Sequence, residues 1–170
     1  MAIDPKLSAA LAALKANPEL AERVLMLAEP QGKNRVLAVR DAMLWARGSL
    51  AGLDHERLAV LALNRMNAVI DSTHLTTGTD GFCIVDPKQV LRWVLTRKRA
   101  AHSFVLAHNH PSGDPTPSAQ DNSVTERVAR AAQAVGLRML DHIVVGAESE
   151  YSYAENGLLP VWETNQLFCT

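Results

Sequence analysis

Two histidines two residues apart, then a serine and an aspartate three residues apart, stand in the stretch HNHPSGDPTPSAQD at residues 108 to 121. The apolar run FVLA leads into it, and on a strand residues two apart point to the same face, so His108 and His110 can aim both rings into one space. Metal binding needs that convergence, and imidazole is the commonest neutral nitrogen ligand for zinc. The glycine and prolines account for a tight turn, but a turn does not need imidazoles. Ser118 and Asp121 fit a capping box at a helix start, with Pro117 suiting the non-helical lead-in. A carboxylate in the first turn of that helix, opposite a strand end carrying two histidines, is also placed to be a third ligand of an open tetrahedral site. The two readings are compatible. Three protein ligands leave a fourth position for water, which distinguishes a catalytic zinc site from a structural one. Such a site also needs a proton acceptor that is not a ligand. Glu56, which opens ERLAVLAL, is the candidate, with a solvated strand-start carboxylate as the alternative.

The elements that must position these groups follow from periodicity. Leu7, Leu11 and Leu14, then PELAERVLMLAE with Pro18 at its start, then Val36, Val39, Met43 and Leu44 before Gly48, have helical spacing and predict an all-helical preamble over residues 1–50. ERLAVLAL and AVIDSTHLTTG read as a hairpin joined at NRMN, FCIV as a further strand, and DPKQVLRWVLTRKRA as a helix with Leu91, Val94 and Leu95 facing inward. HSFVLA predicts the strand before the histidines. A helix from about Ser118 to Val135 stops at Gly136, LRMLDHIVVG is a buried strand and EYSYAE an exposed final one. The fold class is therefore α/β, a mixed sheet flanked by helices. Residues 51–158 form the main domain, and residues 159–170, with Pro160 and Trp162, form a surface tail.

Composition narrows the classes of function. A chain of 170 residues can bury a real core in one main domain. Its 17 Lys and Arg against 18 Asp and Glu give a net charge of -1, so charge does not support a nucleic-acid partner, and no bulk attraction to anionic membrane is expected. Cys83 and Cys169 are too few for a disulfide framework, which favours a reducing compartment. No apolar run reaches membrane-spanning length, and MAIDPKLSAALAALKAN carries charges where a signal peptide needs a clean apolar run, so a cytoplasmic location is expected.

His108, His110, Ser118 and Asp121 together spell H-x-H, seven residues, S-x-x-D, which resembles the signature of the JAMM (MPN-type) zinc metallopeptidases. The string LAHNHPSGDPTPSAQDNSVTERV, with the later LDHIVVG and YSYAENG, is similar to the RadC-like branch of that family, historically called DNA repair proteins, from about residue 36 to about residue 158. The resemblance implies a fold like that of the cytidine deaminases, Zn2+ held by His108, His110 and Asp121, Ser118 as the group that hydrogen-bonds the oxyanion, and Glu56 as general base. Two features depart from the family. Residues 1–35 do not match the Gly-rich helix-hairpin-helix region that full-length relatives usually carry, and Asn64 stands where the family commonly has Asp.

On these grounds the expected activity is zinc-dependent hydrolysis of an amide bond in a peptide or protein substrate. One rival is a DNA-associated protein, to which TRKRAAH contributes basic residues at 97–99 that more simply cap a helix end. The other is a zinc-binding scaffold without turnover. A zinc deaminase is disfavoured because H-x-E and P-C-x-x-C are absent. His142 is expected to support the site or pack in the core rather than ligate, Asp141 to orient a site histidine, and Asp114 to form the turn. The tryptophans Trp45, Trp93 and Trp162 are expected in core or interface contacts, and an amphipathic preamble leaves a homo-oligomer open.

Overall fold

A computed structural model describes residues 35–75, 86–97 and 101–160. The predicted helices before residue 35, the FCIV strand, and the tail beyond residue 160 lie outside the described residues. Within them the chain runs α1 (Val39–Leu50), β1 (Leu58–Leu63), β2 (Val69–Leu75), α2 (Pro87–Leu95), β3 (Ser103–Asn109), α3 (Ala119–Ala134), β4 (Arg138–Val145) and β5 (Glu150–Ser152). The five strands form one mixed sheet in the order β2-β1-β3-β4-β5. Only β3 and β4 are parallel, and α3 supplies the crossover such a pair needs.

β1 is buried at every position, and so is β3, which fits central strands covered on both faces. One face carries Leu58, Val60, Phe104, Leu106 and Met139 against Val90 and Val94 of α2 and Val124, Val128 and Ala132 of α3. The residues between them on β1 and β3, including Ala59, Leu61, Val105 and Ala107, are equally buried, and α1 packs against β1, β3, β4 and β5 without joining that cluster. Helices therefore flank the sheet, as the sequence implies. Each fully buried leucine or valine side chain contributes about 1.5–3 kcal/mol relative to an exposed one.

Local chemistry fixes the ends of these elements. The β1–β2 turn closes through Asn64, whose side-chain oxygen accepts the Met66 and Ala68 amides, with Asn67 in the left-handed region at φ 54. Asn64 is thus a turn former. Pro87 opens α2, and the Asp86 side chain accepts the Lys88 amide. α3 ends where Gly136 turns left-handed at φ 74 and the Leu137 amide reaches back to the Ala132 carbonyl.

Three expectations need correction. α1 does not stop near Gly48 but continues to Leu50, because Gly52 (φ 77) makes the turn, and the helix lays Ala42, Ala46, Ser49 and Leu50 on the sheet while Leu44 faces out. Small alanines let that helix approach closely. In α2 the inward residues are Val90 and Val94, with Leu91 partly buried and Leu95 exposed, since the turn at Asp86 and Pro87 sets the helix phase. The final strand is not exposed: Ser152 and Tyr153 are buried, because Tyr153 stacks on His142 at 5.2 Å and gives its hydroxyl proton to Asn122.

The loop after β3 is pinned to the end of β4. The His110 amide donates to the Val145 carbonyl, the Ala147 amide to Gly113, and Gly113 itself sits at φ 85. A Cβ on Gly146 would lie 2.5 Å from the Gly113 oxygen and 2.8 Å from Pro115 Cδ, so the backbone approach requires glycine. Gly146→Ala is expected to displace this loop and to cost about 1–3 kcal/mol in urea unfolding, the usual range for overpacking. A wild-type unfolding curve would disprove the close approach.

Candidate metal centre

β1 and β3 run antiparallel with Leu58 opposite His108, so the start of β1 and the end of β3 meet. The parallel β3–α3–β4 unit brings the N-terminus of α3 to the same end, the usual place for ligands in open α/β sheets. Strand alternation puts His108 on the face that carries Leu106, toward α3. Asp121, in the first turn of α3, faces it.

The three groups converge. His108 Nε2 lies 3.0 Å from His110 Nε2 and 3.2 Å from Asp121 Oδ1, and His110 Nε2 lies 3.4 Å from Asp121 Oδ2. Tetrahedral coordination at zinc–nitrogen and zinc–oxygen distances of about 2.0–2.1 Å separates neighbouring donors by about 3.3 Å. The contacts among the three residues are of that order, with the two rings facing different Asp121 oxygens, and among the described residues they are the cluster of histidine and carboxylate groups able to hold a metal ion. His108 is buried and His110 half-buried. His110 Nδ1 lies 2.8 Å from the Asp114 carbonyl, which can only accept, so in the neutral ring the proton is on Nδ1 and Nε2 offers its lone pair. Asp114 accepts the Thr116 amide with its side chain and forms the turn as expected.

Ser118 and Asp121 complete the capping box. The Ser118 amide and hydroxyl both donate to Asp121 Oδ2, at 2.7 and 2.6 Å, and the Asp121 amide returns a bond to Ser118 Oγ at 3.1 Å. Glu56 precedes β1 and is half-buried. Burial raises its pKa, His108 and His110 lower it, and Asp121 raises it further, which places Glu56 within electrostatic reach of all three donors.

Sequence reasoning overlooked the residue between the two histidines. Asn109 points to the opposite face, is buried, and clamps the segment around Glu56: its side-chain oxygen accepts the Arg57 amide at 2.9 Å and its nitrogen donates to the His55 carbonyl at 3.0 Å. Both backbone groups flanking Glu56 are thereby tied to β3. The Arg57 guanidinium bonds His55, which in turn meets Asp54 at 2.5 Å. Thr125 was likewise missed. Its hydroxyl lies 2.6 Å from His142 Nδ1, while His142 Nε2 lies 2.9 Å from His108 Nδ1. His142 is fully buried, and burial drives its pKa well below the usual value. It supports a site histidine without joining the triangle, as the sequence suggests. Asp141 does not touch a site ring, contrary to expectation; it accepts from the His142 amide, the Ser152 hydroxyl and the Ala154 amide and so anchors β4 to the β5 corner.

Two histidines from a strand end and an aspartate from the next helix, on a mixed sheet flanked by helices, define an α/β domain of the JAB/MPN type with a triad able to hold a metal ion. The family model described as RadC-like JAB domain matches residues 36–158, and the chain belongs to that family. Relatives include the UPF0758 protein STH371 of Symbiobacterium thermophilum, 43% identical over 65% of this chain and 46% of that protein. The UPF0758 protein YeeS of Escherichia coli is 43% identical over 72% of this chain and 81% of its own length. A UPF0758 protein of Rubrobacter xylanophilus is 39% identical over 83% of this chain and 60% of its own. The match thus spans about half the length of the Symbiobacterium relative. No helix among the described residues is long and apolar enough to cross a membrane.

Asn109→Ala would leave the Arg57 amide and the His55 carbonyl without this partner, at a cost of about 0.5–1.5 kcal/mol per hydrogen bond, since neither residue is buried. Amide hydrogen exchange should show Arg57 losing protection; unchanged protection would remove the clamp from the account.

Proposed function

We propose that this domain is a zinc-dependent hydrolase of amide bonds, acting on a peptide or isopeptide link in a protein substrate. The observation that carries the reading is the convergence of three candidate ligands: the two ring Nε2 atoms lie 3.0 Å apart, His108 Nε2 lies 3.2 Å from Asp121 Oδ1, and His110 Nε2 lies 3.4 Å from Asp121 Oδ2. Two imidazoles and one carboxylate favour zinc among common divalent ions, and three protein donors leave a position open for chemistry. A zinc ion held there would supply Lewis acidity and lower the pKa of a coordinated water.

The remaining work falls to the chain's own side chains. Glu56 is proposed to take a proton from the attacking water and return it to the departing nitrogen, and its raised proton affinity suits a group that must do both. The exposed Ser118 hydroxyl, engaged with Asp121 Oδ2, is proposed to turn and donate to the oxygen that becomes negative as the carbonyl is attacked. Asp121 would keep the Ser118 amide during that change, so its orientation persists. The clamp from Asn109 fixes the backbone on both sides of Glu56, which would hold that carboxylate in place for this role.

Of the basic residues at 97–99, only Arg97 lies among the described residues, and it gives no support to a nucleic-acid role. Arg97 is committed to Asp71 at 2.7 Å, to the Trp93 carbonyl and to the face of the Trp93 ring at 4.3 Å.

Metal analysis after dialysis is expected to find about one zinc per chain in the wild type and little in His108→Ala. Absence of zinc from folded wild-type protein would sink the metal-centre reading. Glu56→Gln should retain the zinc and lose at least roughly 100-fold in turnover on whichever amide substrate the wild type cleaves. Full turnover would remove Glu56 from the mechanism.

A further inference from the structure

Between the metal triad and the interior runs a chain of hydrogen bonds whose directions are set by what each partner can do. The Asp121 backbone carbonyl can only accept, and Thr125 Oγ1 lies 2.6 Å from it, so the hydroxyl proton goes there. The same hydroxyl oxygen sits 2.6 Å from His142 Nδ1 and has no second proton to give. His142 must therefore donate from Nδ1, which in a neutral ring leaves Nε2 as an acceptor. His108 Nδ1, 2.9 Å from that nitrogen, must then carry the proton, and His108 Nε2 is left with its lone pair toward His110 and Asp121. The opposite arrangement would press two acceptors, Thr125 Oγ1 and the Asp121 carbonyl, together at 2.6 Å.

We propose that His142 and Thr125 are positioning residues for the metal centre: through this one-directional chain they hold His108 as the Nδ1-protonated tautomer, with Nε2 presented to the ion. The inference rests on the metal-centre reading above. Packing supports the role. His142 is fully buried, its ring stacks on Tyr153 at 5.2 Å and 11°, and its backbone amide is held by Asp141, so it cannot swing away from His108. Tyr153 is itself fixed by its bond to Asn122 one turn into α3. The chain also starts and ends on the triad, because Thr125 bonds the carbonyl of Asp121 and His142 bonds the ring of His108. The two ligands are thus linked through the protein behind the ion, and an imidazole whose far nitrogen is hydrogen-bonded is both better oriented and more basic.

Two measurements test this. In metal-free wild type, at a pH well above the histidine range, two-bond nitrogen–proton correlation spectra should place the proton on Nδ1 in both His108 and His142. A proton on Nε2 of either ring overturns the proposal. Zinc affinity, by competition with a chromophoric chelator, should fall about 10–100-fold in His142→Phe, which keeps an aromatic ring over Tyr153 but offers no acceptor. Thr125→Val should fall in the same direction while preserving the shape of the helix residue. A folded His142→Phe with wild-type affinity overturns the role; if that variant fails to fold, Thr125→Val and the wild-type spectrum decide. Zinc uptake with Nε2 protons overturns only the positioning role, whereas Nδ1 protons without zinc uptake overturn the metal centre.

Discussion

The antiparallel pairing of β1 with β3 is the constraint on which the site depends. Because Leu58 pairs with His108, the start of one buried strand and the end of the other meet at one edge of the core. A slip of one residue would turn the His108 ring to the other face of the sheet, away from α3 and Asp121. Register is held by burial on both faces: Leu58, Val60 and Leu106 belong to one cluster, Ala59, Leu61 and Ala107 to the other side. The metal-binding geometry is thus a by-product of ordinary hydrophobic packing.

Around that register, the same side chains serve folding and chemistry together. Ser118 and Asp121 start α3 and also orient a candidate ligand, so capping and ligation do not compete. Asp114 closes a turn and, through its carbonyl, orients His110. Asn109 binds backbone rather than ligand, yet it determines where Glu56 stands. Removing any of these groups would therefore affect both stability and the site.

Much of this was legible in the sequence because it is local. H-x-H needs only strand alternation, S-x-x-D only a helix start, and the Gly136 stop only a left-handed turn. Glu56 depended on a family resemblance, since nothing local separates it from a solvated residue before a strand. The missed residues were hidden by distance along the chain: Asn109 acts 52 residues from Arg57, and Thr125 acts 17 residues from His142. A buried asparagine between two histidines and a threonine inside a helix have no periodic signal to announce such partners. The inward stripe of α2 was right at Val94 but included Leu95 and missed Val90, because periodicity defines a face but not its edges where the helix meets the sheet.

The capping box at the mouth of α3 has one more consequence. Asp121 is held by three hydrogen bonds with Ser118 that involve no ion, and His110 and His108 are held by a carbonyl and by a neighbouring ring. A receptor for an ion at this site would therefore be held largely by the chain's own hydrogen bonds, leaving little ordering entropy for the ion to overcome. In a zinc finger the metal is the keystone of a chain that would otherwise be unfolded. Here an ion would be a tenant of a finished building, and a chelator would empty the room without bringing down the walls.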